Sequence, residues 1–198
     1  MRLRKQHVIV GLGEILWDML PGGKELGGAP ANFAYMATRL GDRGIVASRV
    51  GTDELGQQAH LNLERLGVST SHLQFDEAHP TGTVLVHVDD KGQPDFTITE
   101  TVAWDFLEWT PQWEELAAQA DAVCFGSLAQ RSPVSRETIR RFLEATRSEA
   151  LRIFDVNLRQ SFYSAEILAE SLERCNVCPA QAPTEKRQNG KSATQERV

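Results

Sequence analysis

The sequence predicts an α/β fold: a parallel sheet flanked by helices, with a small β lid standing outside it. Three observations carry this. Short apolar runs rich in β-branched residues alternate with amphipathic stretches of helical period, the pattern of strands joined by crossover helices. Runs such as Val8-Ile9-Val10 and Ala122-Val123-Cys124-Phe125 are apolar on both faces, as strands between two helix layers are. One pair of runs, 83–88 and 95–99, interrupts the series as a hairpin around Asp89-Asp90-Lys91-Gly92.

The elements follow in order. Residues 7–12 form the first strand, and a glycine-rich stretch, Pro21-Gly22-Gly23 and Leu26-Gly27-Gly28, comes after it. A helix is predicted over 32–40, with Phe33, Met36, Ala37 and Leu40 on one face and Gly41 behind it. Residues 45–50 make a second strand. A helix over 54–66 places Leu55, Ala59, Leu63 and Leu66 on one side, with Gly67 after it. Beyond the hairpin, Thr110-Pro111 opens a helix to about Ala120, with proline in its first turn. Residues 122–125 are a buried strand, and Ser132-Pro133 opens a helix carrying Ile139, Phe142 and Leu143. Residues 151–154 are a strand, and Ser164 caps a helix with Ile167, Leu168 and Leu172. A further strand starts at Cys175-Asn176-Val177. Trp104, Trp109 and Trp113 are expected to pack under the lid or the helices rather than to stack on a ligand.

Composition narrows the function. The 198 residues are 41% apolar and 24% charged, a globular profile with enough chain for a core without disulfides. The net charge is −6 and no basic cluster stands out, which argues against nucleic acid or an anionic membrane as partner. No apolar run approaches the ~18 residues of a membrane span. The basic start is followed by too short and polar a run for a signal peptide. Three cysteines without such a signal suggest reduced thiols and a cytoplasmic location. Cys175 and Cys178 have redox or zinc spacing but no second pair, and are taken as incidental thiols. Residues 178–198 contain one valine and no other large apolar residue, and carry +2, leaving −8 on 1–177. The expectation is a folded unit over 1–177 and a disordered tail over 178–198.

Gly11-Leu12-Gly13 after the first strand invites a dinucleotide reading. That fingerprint needs a third glycine where Leu16 stands, and Glu14 would set a carboxylate near a pyrophosphate. Glu14 and Asp18 instead put acids at the carboxyl end of a central strand, where ligands bind in open α/β sheets. An aspartate there can accept hydrogen bonds from the vicinal hydroxyls of a polyol, or be a solvated loop acid. The run from Gly27 to Asn32 leads into a helix. Its glycines permit close backbone approach, the helix start offers free N–H groups, and Asn32 offers a donor and an acceptor. A plain tight turn explains the same residues.

Taken together, Gly27-Gly28-Ala29-Pro30-Ala31-Asn32-Phe33-Ala34, then Gly41 and Gly51, resemble the N-terminal signature of the PfkB (ribokinase-like) carbohydrate kinases. Gly51-Thr52-Asp53-Glu54-Leu55-Gly56 is similar to the segment that follows in them. Gly13-Glu14 with Asp18, the hairpin, Gly126-Ser127-Leu128-Ala129-Gln130-Arg131 and Asp155-Val156-Asn157-Leu158-Arg159 resemble the fructokinase-type branch. The resemblance covers residues 7 to about 177. It implies a ribokinase-like fold and ATP- and Mg²⁺-dependent transfer of a phosphate to a sugar hydroxyl. It implies that Asp18, Gly28 and Asn32 hold the sugar, with Asn157 and Arg159 near the phosphate path or the sugar's far end. Arg159 can also be a solvated charge after a strand. Residues 14–26 and 82–100 correspond to the lid, through which such kinases pair as homodimers. The family's later Asn-x-x-Glu and Gly-Ala-Gly-Asp segments, which serve Mg²⁺, the anion hole and the catalytic base, do not occur in the 198 residues. No catalytic residue is therefore assigned. The expectation is the N-terminal portion of the fold, truncated before the ATP and catalytic region and inactive alone. The competing expectation is a non-catalytic sugar-binding or interaction remnant.

Overall fold

Two sheets carry the fold. The computed structural model describes residues 5–88 and 94–178. The elements are β1 (Val8–Leu12), β2 (Leu16–Leu20), β3 (Gly23–Gly27), α1 (Ala29–Arg39), β4 (Arg43–Gly51), α2 (Glu54–Arg65) and β5 (Ser69–Asp76). They continue as β6 (Gly82–Val88), β7 (Pro94–Ile98), α3 (Pro111–Gln119), β8 (Ala122–Gly126), α4 (Pro133–Ala145), β9 (Leu151–Asp155) and α5 (Ala165–Arg174). Short 3-10 turns follow β7 (Ala103–Phe106) and β8 (Leu128–Arg131).

The main sheet has the order β5-β4-β1-β8-β9, and all of its pairs are parallel. β1 lies in the middle because it is apolar on both faces. Adjacent residues of β4 enter different cores: Ile45 packs with Trp104, Phe125, Phe142 and Phe154, and Val46 with Ile15, Trp17 and Ala34. Neighbours along a strand point to opposite sides, so a helix layer covers each face. Each large side chain taken fully from water in these layers contributes roughly 2–3 kcal/mol. Beyond β9, Val177 bridges Ile153 in parallel and its carbonyl accepts the Phe154 N–H at 3.0 Å. Where a strand was expected at Cys175-Asn176-Val177, the described residues show this isolated bridge.

The helix expected over 32–40 begins at Ala29 and turns a different face inward. Met36 is 54% and Leu40 69% exposed, while Pro30, Ala31 and Ala34 are buried. The small residues face the sheet because α1 lies close upon β1 and β4. The strand β5 was not expected: Ser69-Thr70-Ser71-His72 lacks the apolar run of a central strand, and β5 is an edge of the sheet.

The lid is larger than a hairpin. β6 and β7 form the expected antiparallel pair, and β2 and β3 extend it to a four-stranded sheet of order β3-β2-β6-β7 with β2 parallel to β6. The turn at 89–93 lies outside the described residues, as does the expected disordered tail from 179 onward. Trp104 and Trp113 are buried and Trp109 packs on the same core. The Arg131 guanidinium is stacked between Trp104 and Phe162, 4.0 and 4.5 Å from their ring centres.

Candidate functional site

Between the inner face of the lid and the carboxyl ends of the main-sheet strands lies a cavity of about 620 Å³. All five expected site residues, Asp18, Gly28, Asn32, Asn157 and Arg159, line it. They come from three separate elements, so the convergence is a property of the fold and not of local sequence.

Strand alternation places Asp18 on the cavity face of β2 with Leu16 and Leu20. Glu25 of β3 stands directly across from it in the ladder and also faces the cavity. Burial, and then the Glu25 charge, push the Asp18 carboxyl above its usual range, and the Arg159 guanidinium opposes this. Gly27 has no side chain where one would stand 2.7 Å from the Asp18 Oδ2. Gly28 precedes α1 at φ 111°, a conformation costly for any residue with a Cβ, and a Cβ there would strike the Glu14 carbonyl. Its own carbonyl accepts the Asn32 N–H at 3.0 Å, the first bond of the helix. Asn32 is exposed in that first turn, on the cavity.

The opposite wall is the loop after β9. The Asn157 carbonyl accepts from the Ser127 hydroxyl at 3.4 Å. Gln160, at φ 45°, accepts the Ile98 N–H through its Oε1 at 3.2 Å and so ties this loop to the lid. Gln160 lines the cavity and carried no motif that would have pointed to it. Glu14 also lines the wall, is only 4% exposed, and is pushed up to about 7, chiefly by burial. Asp155, at the end of β9, is raised by burial too, against the Asn157 N–H and Arg159, which favour its charge. Both acids occur in motifs the sequence displayed; their burial depends on how the loops close and could not be read there.

Chemically, the cavity presents carboxylates, three amide side chains and a guanidinium over an apolar floor that includes Leu16, Val84 and Ile98. A sugar carries both hydroxyls, each donor and acceptor, and C–H faces, and fits such a lining. A polyphosphate does not: Glu14, Asp18 and Glu25 face Arg159 as the single guanidinium of the cavity. Among the described residues no group of three or more His, Cys, Asp or Glu side chains gathers to hold a metal ion.

With this geometry in view, the class is settled. The chain belongs to the pfkB family of carbohydrate kinases, whose sequence model matches residues 22–181. Its relatives are more particular. It is 35% identical over 166 residues to a fructokinase of Salmonella typhimurium, covering 79% of this chain and 53% of that one. A crystal structure of a sugar kinase of Pyrococcus horikoshii in complex with ATP superposes with a TM-score of 0.74 at 28% identity, over 86% of this chain and 62% of that one. A fructokinase of Vibrio cholerae in apo form gives 0.76 at 26% identity, over 88% and 63%. The ribokinase-like fold is thus shared. The chain spans between about half and three fifths of the length of the curated relatives it matches.

Proposed function

We propose that this chain is the sugar-binding part of a fructokinase-like, ATP-dependent carbohydrate kinase, and that alone it holds a sugar without phosphorylating it. The observation that carries the reading is the meeting of Asp18, Gly28, Asn32, Asn157 and Arg159 on one cavity under the lid. Asp18 accepts hydrogen bonds from two neighbouring hydroxyls. Asn32 at the start of α1 orients the same end of the sugar, and Asn157 and Arg159 meet its far end.

In this chemistry ATP supplies the phosphoryl group and Mg²⁺ neutralises its developing charge. The cavity does not suit a polyphosphate and the described residues gather no metal-ligand cluster. No transfer step is therefore assigned to these side chains. The Gly-Ala-Gly-Asp run that resemblance leads one to expect for the base does not occur in the 198 residues. Loss of even one donor to a developing anion lowers rates about 10²–10³-fold. A cytoplasmic location and a homodimer formed through the lid complete the reading; no helix among the described residues is long and apolar enough to cross a membrane.

Isothermal titration calorimetry with fructose tests it. Removing the Asp18 carboxylate leaves two sugar hydroxyls unpaired, a loss of roughly 1–3 kcal/mol or more. The wild-type chain is expected to bind fructose and Asp18→Ala to show no measurable binding. A folded Asp18→Ala that binds as the wild type does overturns the assignment.

A further inference from the structure

Glu14 is an acid the sugar reading does not use. It follows β1, and its carboxyl receives the backbone N–H groups of Glu14 itself and of Ala29, the first residue of α1. Its Oε2 is buried and has no hydrogen-bond partner. An ionised carboxylate with a bare buried oxygen is costly, whereas a protonated one carries no charge to desolvate. The negative group that acts on it is Asp155 of β9. Only β8 separates β1 from β9, and β8 ends at Gly126, which pairs with Asp155 and has no side chain to stand between the two acids.

We propose that Glu14 is a positioning residue of the sugar site: uncharged, it lets the start of α1 and the end of β9 stay together, and with them Asn32 and Asn157. The inference rests on the sugar reading above. Asn32 lies one turn into the helix whose first amide Glu14 holds. Asn157 lies two residues beyond Asp155, whose carboxylate receives the Asn157 N–H. Ionised Glu14 sets a buried negative charge against the half-buried Asp155, and the start of α1 and the end of β9 then repel. The groups that act on Glu14 are Asp155 from β9 and Arg131 from the turn after β8; Glu14 in turn acts on the Cys124 thiol of β8. α1 contributes the Ala29 amide. Arg131 is already engaged by Asp105 at 2.8 Å, which leaves Asp155 the stronger influence. The carboxyl ionises near 7, so the protonated form prevails below that pH and is lost above it.

The experiment is the pH profile of fructose binding by calorimetry. If only the protonated form is competent, affinity falls roughly tenfold from pH 6 to pH 8. Glu14→Gln, neutral at every pH, is expected to bind with less than about a twofold change over that range. Asp155→Asn, which removes the neighbouring charge that helps to raise Glu14, is expected to move the step to lower pH and to shrink it, because an ionised Glu14 then meets no opposing carboxylate. A flat wild-type profile, or a step that persists in Glu14→Gln, overturns the proposal while Asp18-dependent binding leaves the sugar reading standing. Absence of fructose binding at every pH overturns both. Should Glu14→Gln fail to fold, an unchanged step in Asp155→Asn overturns the proposal by itself.

Discussion

Asp18 and Glu25 stand directly opposite one another across β2 and β3, and like charges so placed weaken a sheet. Asp18, Glu14 and Asp155 are acids held above their usual range at or beside one cavity, and all three shifts start from burial. Removal of the Asp155 charge lets Glu14 ionise at lower pH, since that charge is one of the causes that raise it. Stability follows the same sign. Glu14 ionises near its ordinary 4.5 in the unfolded chain and near 7 in the folded one, so the folded state binds more protons between those values. Stability therefore falls as pH rises through that window, by up to about 3 kcal/mol for this group, and is level above it. Asp53, Asp76 and Asp121 are shifted downward, so their contribution is lost only as pH falls below about 4 and does not blur the window. Urea unfolding at pH 5 and pH 8 is expected to show a clear loss in the wild type and a smaller one in Glu14→Gln, where Asp18 and Asp155 still contribute. Equal losses in both would refute the assignment of this slope to Glu14. Asp18, Gly28, Asn32, Asn157 and Arg159 were legible in the sequence because they fall within spaced motifs. The burial of Glu14 and the reach of Gln160 to Ile98 were not, because both arise only when loops far apart in the chain close on each other.

At the scale of elements, legibility followed the strength of the local pattern. The strands β1, β8 and β9 and the helices α3 and α4 announce themselves through apolar runs and proline in the first helical turn. β5 opens on polar residues at a sheet edge, and the face of α1 is set by close approach to the sheet rather than by its largest side chains. The lid shows the same limit. Its β6–β7 hairpin was readable, while β2 and β3 are short strands in a glycine-rich stretch, placed with the lid only by resemblance. The finished lid leaves Leu20 and Phe96 on its cavity face and Leu85 on the opposite face exposed at 37%, 50% and 39%. Exposed apolar side chains on a small sheet gain by meeting another apolar surface. The proposed homodimer supplies one. Sedimentation velocity at high concentration is expected to show a dimer, and Phe96→Lys to shift it towards monomer. A wild-type chain that stays monomeric throughout would contradict the lid-mediated pairing.

At the scale of the whole molecule, a parallel sheet covered on both faces holds one wall of the cavity, and the four-stranded lid holds the other. The family match covers most of this chain, while the chain spans between about half and three fifths of its curated relatives. The described residues bring together a lining that suits a sugar, and the sequence contains no Gly-Ala-Gly-Asp run to supply the expected base. The central claim is that the chain holds a sugar without phosphorylating it. A coupled ADP-release assay on the purified 198-residue chain, with ATP, Mg²⁺ and fructose, tests this most directly. The account predicts no fructose-dependent ADP release above background. Turnover that survives repurification and disappears in Asp18→Ala would contradict it, and would place a working catalytic base within this chain.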